Sequence, residues 1–178
     1  ILASPDSDIN AIETIVKDVN RAAHELSIDV LGGHTEVTDS VTRTILSITA
    51  IGKVQRNRLI QPMHAKVGDS IVMTKKAGME GTAILAYDRY DTLKQHISLK
   101  SLAEAKEFLN HISVIPEGRI AASMGVHGMH DATEGGILGA LWELSETMGK
   151  AIEVHADDIP IAFVTREICD FYAIDPLK

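Results

Sequence analysis

"GMHDATEGGILGALWELSE", residues 128–146, decides how the chain is read. A short polar turn feeds straight into a helix, which Gly149 closes. Two readings of the turn stand side by side. In the first, Thr133 or Asp131 caps the helix and Gly135 and Gly136 ease packing. In the second, the first amides of the helix, which have no internal partners, and the positive end of its dipole receive a phosphate. Gly135 and Gly136 then let the phosphate approach without a Cβ in the way. Asp131 holds a Mg²⁺ on the same phosphate oxygens, and Thr133 donates or caps. Spacing alone leaves both open.

Outward from this turn, composition sets limits. The chain has 178 residues, 45% of them hydrophobic, and a net charge of -8, so it buries a real core and carries no general basic field. That charge argues against nucleic acid and against acidic membrane surfaces as partners. No apolar run reaches the roughly 18 to 20 residues of a membrane-spanning helix. The single Cys169 excludes an internal disulfide framework and a multi-cysteine zinc site, and the cytoplasm is the expected location. The chain starts at Ile1 without a methionine and stops at "DPLK" after a helical pattern, which reads as a piece of a longer protein.

The remaining pattern is mixed. Ile9, Ile12, Ile15, Val16, Val19, Ala22, Ala23 and Leu26 give one apolar stripe on a helix that Ser7 or Asp8 caps. "IDVLGGHTEV", "SVTRTILSITAIGKV", "DSIVMTK" and "AIEVHADDIPI" read as strands, and "VHGMHDA" as a short strand or extended turn. "AGMEGTAILAYD", "SLAEAKEFLNHIS", "EGRIAASMG" and "FVTREICDFYAI" suit helices, with Pro116 interrupting the middle pair. "RNRLIQPMHAKVG" loses periodicity and reads as a linker, with a boundary near Gln61. Strands and helices without a regular βαβ rhythm give an α+β fold.

Two further clusters carry polar chemistry. In "GGHTEVT", residues 32–38, His34 and Glu36 share one face of a strand while Thr35 points away. The pair serves a metal or phosphate, or marks a solvated strand end with a glycine bulge. "TKKAGMEGT" sets Lys75 and Lys76 before Gly78 and Gly81, yet lacks the order of a Walker motif, so a solvated turn competes with a phosphate loop. His127 and His130, three apart in an extended segment, face opposite sides and do not converge on one ion. Cys169 sits in an apolar helical pattern and reads as core.

"DVLGGHTEVTD", "GDSIVMTKKAGMEGTAIL", "MHDATEGGILGALWELSE" and "REICDFYAIDPL", in this order across nearly the whole chain, resemble successive motifs of the PurM-like superfamily. The resemblance is to the branch of AIR-synthase-related proteins and the hydrogenase maturation factor HypE. It implies a PurM-like two-domain architecture: residues 1–60 as the latter part of an N-terminal, dimerising, ATP-binding domain, and 61–178 as the first part of a C-terminal α/β domain. ATP and Mg²⁺ are the implied cofactors, with the Gly-rich acidic ATP segment of the family upstream of Ile1. Carried over residue by residue, Thr133, Gly135, Gly136, Lys75, Gly32, Gly33 and Thr35 meet phosphate or ATP, and Asp131, Glu36 and His34 form the metal set. No general base is assigned.

The implied reaction is activation of an amide or carbamoyl oxygen by phosphoryl transfer from ATP. The implied partners are a second copy, paired through the sheet of the N-terminal domain, and a maturation protein. Two alternatives are an AIR-synthase-like ligase of purine synthesis and a nucleotide-binding scaffold without turnover. There are departures. His34 stands where HypE proteins carry a metal-binding aspartate, which leaves Glu36 as the nearest replacement. The terminal cysteine of HypE has no counterpart after Lys178, and Cys169 does not match it.

Overall fold

The apolar stripe near the start of the chain forms α1 (Ile9–Glu25), and the Asp8 carboxylate caps it by accepting from the Asn10 amide at 3.0 Å. Ile12, Ile15, Val19, Ala23 and Leu26 are its half-buried positions, at the spacing of one helical face. The computed structural model describes all residues, Ile1–Lys178, in two compact units, Ile1–Lys53 and Val54–Lys178.

In the first unit, β1 (Leu2–Ala3) pairs in parallel with β2 (Glu36–Val37), with Leu2 opposite Glu36 and Ala3 opposite Val37. Leu2 also makes an antiparallel bridge to Ile45. Ala3 is fully buried beneath these contacts, and the Ser7 and Thr44 hydroxyls meet at 2.8 Å beside them.

The second unit is helical: α2 (Met79–Asp88), α3 (Tyr90–Leu93), α4 (Leu99–Glu107), α5 (Ile115–Met124), α6 (Gly136–Met148) and α7 (Phe163–Tyr172). Its core lies where α2, α4 and α7 meet. Ala83 and Ala86 let α2 come close, Leu102 and Ala105 of α4 fill that space, and Val164 and Ile168 of α7 close it. At the buried α2–α7 contact the Thr82 hydroxyl bonds that of Thr165 at 2.9 Å, so neither polar group is stranded. The Lys106 ammonium lies 3.9 Å from the centre of the Tyr90 ring at the edge of this core. Pro116 falls in the first turn of α5, where a missing amide costs no helical bond; the break in the pattern lies before Ile115. No helix is long and apolar enough to cross a membrane.

The expected strands are corrected by the structure. "IDVLGGHTEV" pairs only over Glu36–Val37, the 40–54 segment only through the Ile45 bridge, and "AIEVHADDIPI" only through a parallel bridge of Ile161 to Ala77. "DSIVMTK" carries no ladder at all, and of the two alternatives for "VHGMHDA" the strand is absent and the extended turn stands. The physical reason is that alternation records a face to be buried, whereas a strand also needs a neighbour to satisfy its amides and carbonyls.

Leu102→Ala, which removes a fully buried side chain between α2 and α7, is expected to cost about 2–5 kcal/mol of unfolding free energy in a denaturant titration.

Candidate functional site

The turn from His127 to Gly136 is built by two histidines and a run of glycines. His127 Nδ1 lies 2.7 Å from Asp69 Oδ2, and that carboxylate also accepts from the Lys66 amide at 2.7 Å. His130 faces elsewhere: its Nε2 lies 2.8 Å from Glu143 Oε2 on α6, and its Nδ1 lies 2.5 Å from the Asp131 carbonyl oxygen. The two rings thus serve different carboxylates, as their spacing predicts. The Asp69 carboxyl is held below its ordinary range, first by the Lys66 amide and then by His127.

Gly135 is the residue before α6 and has φ +79°, and Gly136 follows with φ +60°. Both lie in the left-handed region that favours glycine. Gly136 has a second reason: a Cβ there would meet the Leu177 carbonyl oxygen at 2.6 Å. That carbonyl accepts from the Leu138 amide at 3.0 Å, while the Gly136 amide donates to Thr133 at 3.1 Å. The chain's own backbone therefore occupies part of the amino end of α6. Of its first three amides, that of Ile137 keeps no protein partner.

No side chain caps α6. The Thr133 hydroxyl makes no protein hydrogen bond, and the Asp131 carboxylate, 62% exposed, comes no nearer to a cation than the 4.0 Å that separates it from His130 Nδ1. The capping alternative for these two residues is thereby set aside, while the packing role of the glycines is real. The Asp131 and Thr133 side-chain oxygens are thus left without protein hydrogen bonds.

Lys75 is placed differently from the expectation. Its ammonium donates to the Ser113 carbonyl at 2.9 Å and pairs with Glu117 on α5, so its charge is already met. The same lysine holds the Glu117 carboxyl below the ordinary carboxylate range. The expected residues of the other cluster, Gly32, Gly33, His34, Thr35 and Glu36, belong to the Ile1–Lys53 unit and are all exposed. His34 Nε2 lies 3.6 Å from Glu36 Oε2, and nothing approaches within 4 Å of a Cβ at Gly32 or Gly33. No group of three histidine, cysteine or acidic side chains gathers into a metal cage. Mg²⁺ does not require one: it takes one or two carboxylates and completes its shell with phosphate oxygens and water, which fits a single free Asp131. An imidazole such as His34 suits this hard cation poorly.

Around the turn lies an open depression of about 1630 Å³, bordered by the Lys75–Gly81 and His130–Gly136 stretches and by Pro176 and Lys178. That volume exceeds the roughly 300–1,000 Å³ of a small-ligand pocket, so only its polar end is the candidate site. Sequence reasoning missed Asp69, Glu117, Glu143 and Leu177. Their partners are remote in sequence, apart from the His130–Glu143 pair, whose meeting depends on a loop folding back along a helix.

Comparison with known proteins shows the family. The N-terminal domain of AIR synthase related proteins matches residues 1–54, and their C-terminal domain matches residues 66–171. The chain belongs to the AIR-synthase-related family of the PurM-like superfamily. Its similarities include the HypE branch. It is 30% identical over 175 residues to a provisionally named hydrogenase expression/formation protein of Methanocaldococcus jannaschii, covering 96% of this chain and 48% of that protein. It is 26% identical over 170 residues to carbamoyl dehydratase HypE of Cupriavidus necator, covering 93% and 46%. It is 27% identical over 170 residues to the selenide, water dikinase of Caldanaerobacter subterraneus, covering 94% and 46%. The chain thus spans about half the length of the curated relatives it matches. No solved structure matches it significantly.

Two outcomes follow from this geometry. Gly136→Ala is expected to destabilise by about 1–3 kcal/mol, through backbone strain and displacement of residues 177–178, whereas Gly33→Ala stays within about 0.5 kcal/mol; denaturant unfolding compares them. Because the folded Asp69 carboxyl titrates below its ordinary value of 3.8, its tether is fully present above that pH and is lost as acid reaches the lowered value. Asp69→Asn should therefore lower stability at pH 7 and flatten the acid dependence below about pH 4, as read by unfolding at a series of pH values.

Proposed function

We propose that this chain forms part of an ATP-dependent enzyme of HypE type, which activates a carbamoyl or amide oxygen by phosphoryl transfer. One observation carries the reading: at the amino end of α6 the Thr133 hydroxyl, the Asp131 carboxylate and the Ile137 amide all lack protein partners. The relatives named carbamoyl dehydratase and selenide, water dikinase support it, since this chain is similar to each over more than nine-tenths of its length.

In this reading Asp131 binds Mg²⁺, which would neutralise charge on the transferring phosphate. Thr133 and the Gly135–Gly136 turn orient the phosphate, and the Ile137 amide donates to it from the positive end of the helix. Catalysis of this kind rests on position and charge rather than on a protein nucleophile. Lys75 takes part only if an arriving anion competes for it with Glu117. Gly32, Gly33 and Thr35 as ATP contacts, and Glu36 as a further metal ligand with His34 beside it rather than on the Mg²⁺, belong to the same proposal.

Residues 1–60 are then the latter part of the dimerising domain and 61–178 the first part of the C-terminal one. The division is supported by the gap between the matched stretches, which end at 54 and resume at 66. A homodimer through the first domain is supported by apolar residues left in solvent there, among them Leu31 at 90% and Ile51 at 87% exposed. A maturation protein as partner and the cytoplasm as location complete the reading. The presence of His34 where HypE proteins carry an aspartate favours, as a second reading, a scaffold that binds nucleotide without turning it over.

The test is ADP release by the intact protein with Mg²⁺ and a carbamoylated acceptor. Asp131→Asn is expected to reduce the rate by at least about 100-fold. An unchanged rate in this variant removes Asp131 from the mechanism, and nucleotide binding without any ADP points to the scaffold.

A further inference from the structure

The His130 ring lies between the peptide of Asp131 and the body of α6. The Asp131 carbonyl is an acceptor only, so the nearer ring nitrogen, Nδ1, donates to it across 2.5 Å. The opposite nitrogen lies 2.8 Å from the Glu143 carboxylate, also an acceptor. Glu143 lies seven residues beyond Gly136, two turns along the same face of α6, so the loop must fold back along the helix for the contact to form. The His130 side chain keeps 26% of its surface in solvent, against 62% for Asp131 beside it.

The consequence concerns Asp131. Its carboxylate makes no protein hydrogen bond, so its direction is set through its own backbone, and that backbone is held by His130. We propose that His130 and Glu143 are positioning residues: Glu143 fixes the imidazole, the imidazole fixes the Asp131 peptide, and the free carboxylate is thereby aimed at the amino end of α6. Neither residue touches phosphate or metal. This inference rests on the functional reading above, and it deepens it by adding an outer layer of support to the metal ligand. Partners of that kind commonly change metal affinity by about 10- to 100-fold when removed.

Two measurements on the intact protein separate the inference from that reading. The first needs no nucleotide: hydrogen exchange of the amides in residues 131–137, followed by mass spectrometry. His130→Ala and Glu143→Ala should each speed exchange there on the order of tenfold, the double variant no more than either alone, and Glu143→Gln, which keeps an acceptor, should stay near the parent. Unchanged exchange, or effects that multiply in the double variant, overturns the inference. The second follows binding of Mg²⁺ with ADP through the fluorescence of Trp142, the only tryptophan and the neighbour of Glu143 on α6. The same Ala variants should raise the Mg²⁺ concentration for half-saturation by about 10- to 100-fold, with core stability unchanged. Binding identical to the parent's overturns the positioning role. Faster exchange in a protein whose parent form binds no nucleotide overturns the functional reading and leaves the anchoring of the loop in place.

Discussion

One backbone hydrogen bond, from the Leu138 amide to the Leu177 carbonyl, ties the candidate site to the core. α7 contributes Val164 and Ile168 to that core, then ends at Ala173, whose φ of +54° turns the chain sharply. The next residues reach the amino ends of two helices. A Cβ on Gly78, which precedes α2, would lie 3.5 Å from the Pro176 carbonyl oxygen, and Gly136 of α6 faces Leu177. Both glycines have positive φ, so the starts of α2 and α6 are shaped to admit the same short strap. The other end of the site loop is secured by a similar fit, since a Cβ on Gly128 would meet Pro62 at 2.9 Å. The position of the Asp131–Gly136 turn is therefore a consequence of core packing carried outward by backbone contacts.

This arrangement also redistributes charge. Lys75 lies in the left-handed region at φ +61°, a conformation that costs a non-glycine residue on the order of 1 kcal/mol or more. Its ammonium is matched to Glu117 and to the Ser113 carbonyl, which makes it a strut between the segment before α2 and the start of α5. The second Glu117 oxygen is buried without a partner, so the carboxylate is itself only half satisfied. A cation held so cannot also neutralise a phosphate without breaking the strut. Positive potential at the turn comes instead from the helix end and from its free amide, which are fixed in place and cost no reorganisation.

Helices were legible in the sequence because their signals are local. The spacing of Ile12, Ile15 and Val19, the Asp8 cap, the left-handed Gly149 and the fully buried Ile168 beside Cys169 each depend on residues within a turn or two. Strands were not, since Val72 or Val154 can alternate with polar neighbours without any ladder partner being available. The site was half legible. "HDATEGG" announced a helix start with spare polar groups, but the contacts that position it, His127 with Asp69 and Gly136 with Leu177, join residues 58 and 41 positions apart. The strut on Lys75 spans 42 positions to Glu117, and nothing near "TKKAGMEGT" signals it.

The glycines of this motif deserve a different weight from its polar residues. Gly135, Gly136 and Gly139 each have a structural requirement: positive φ at the first two, and at the third a Cβ that would lie 2.9 Å from the Glu134 carbonyl oxygen. Such residues would be required whether or not a phosphate ever arrived, so their presence says little about chemistry. Thr133 and Asp131 are the reverse case. The fold neither buries them nor bonds their side chains, and a threonine and an aspartate just before a helix ordinarily cap it, which these do not. The phosphate reading of the turn rests on this unused capacity, on a loop that packs against Pro62 at one end and meets Leu177 at the other.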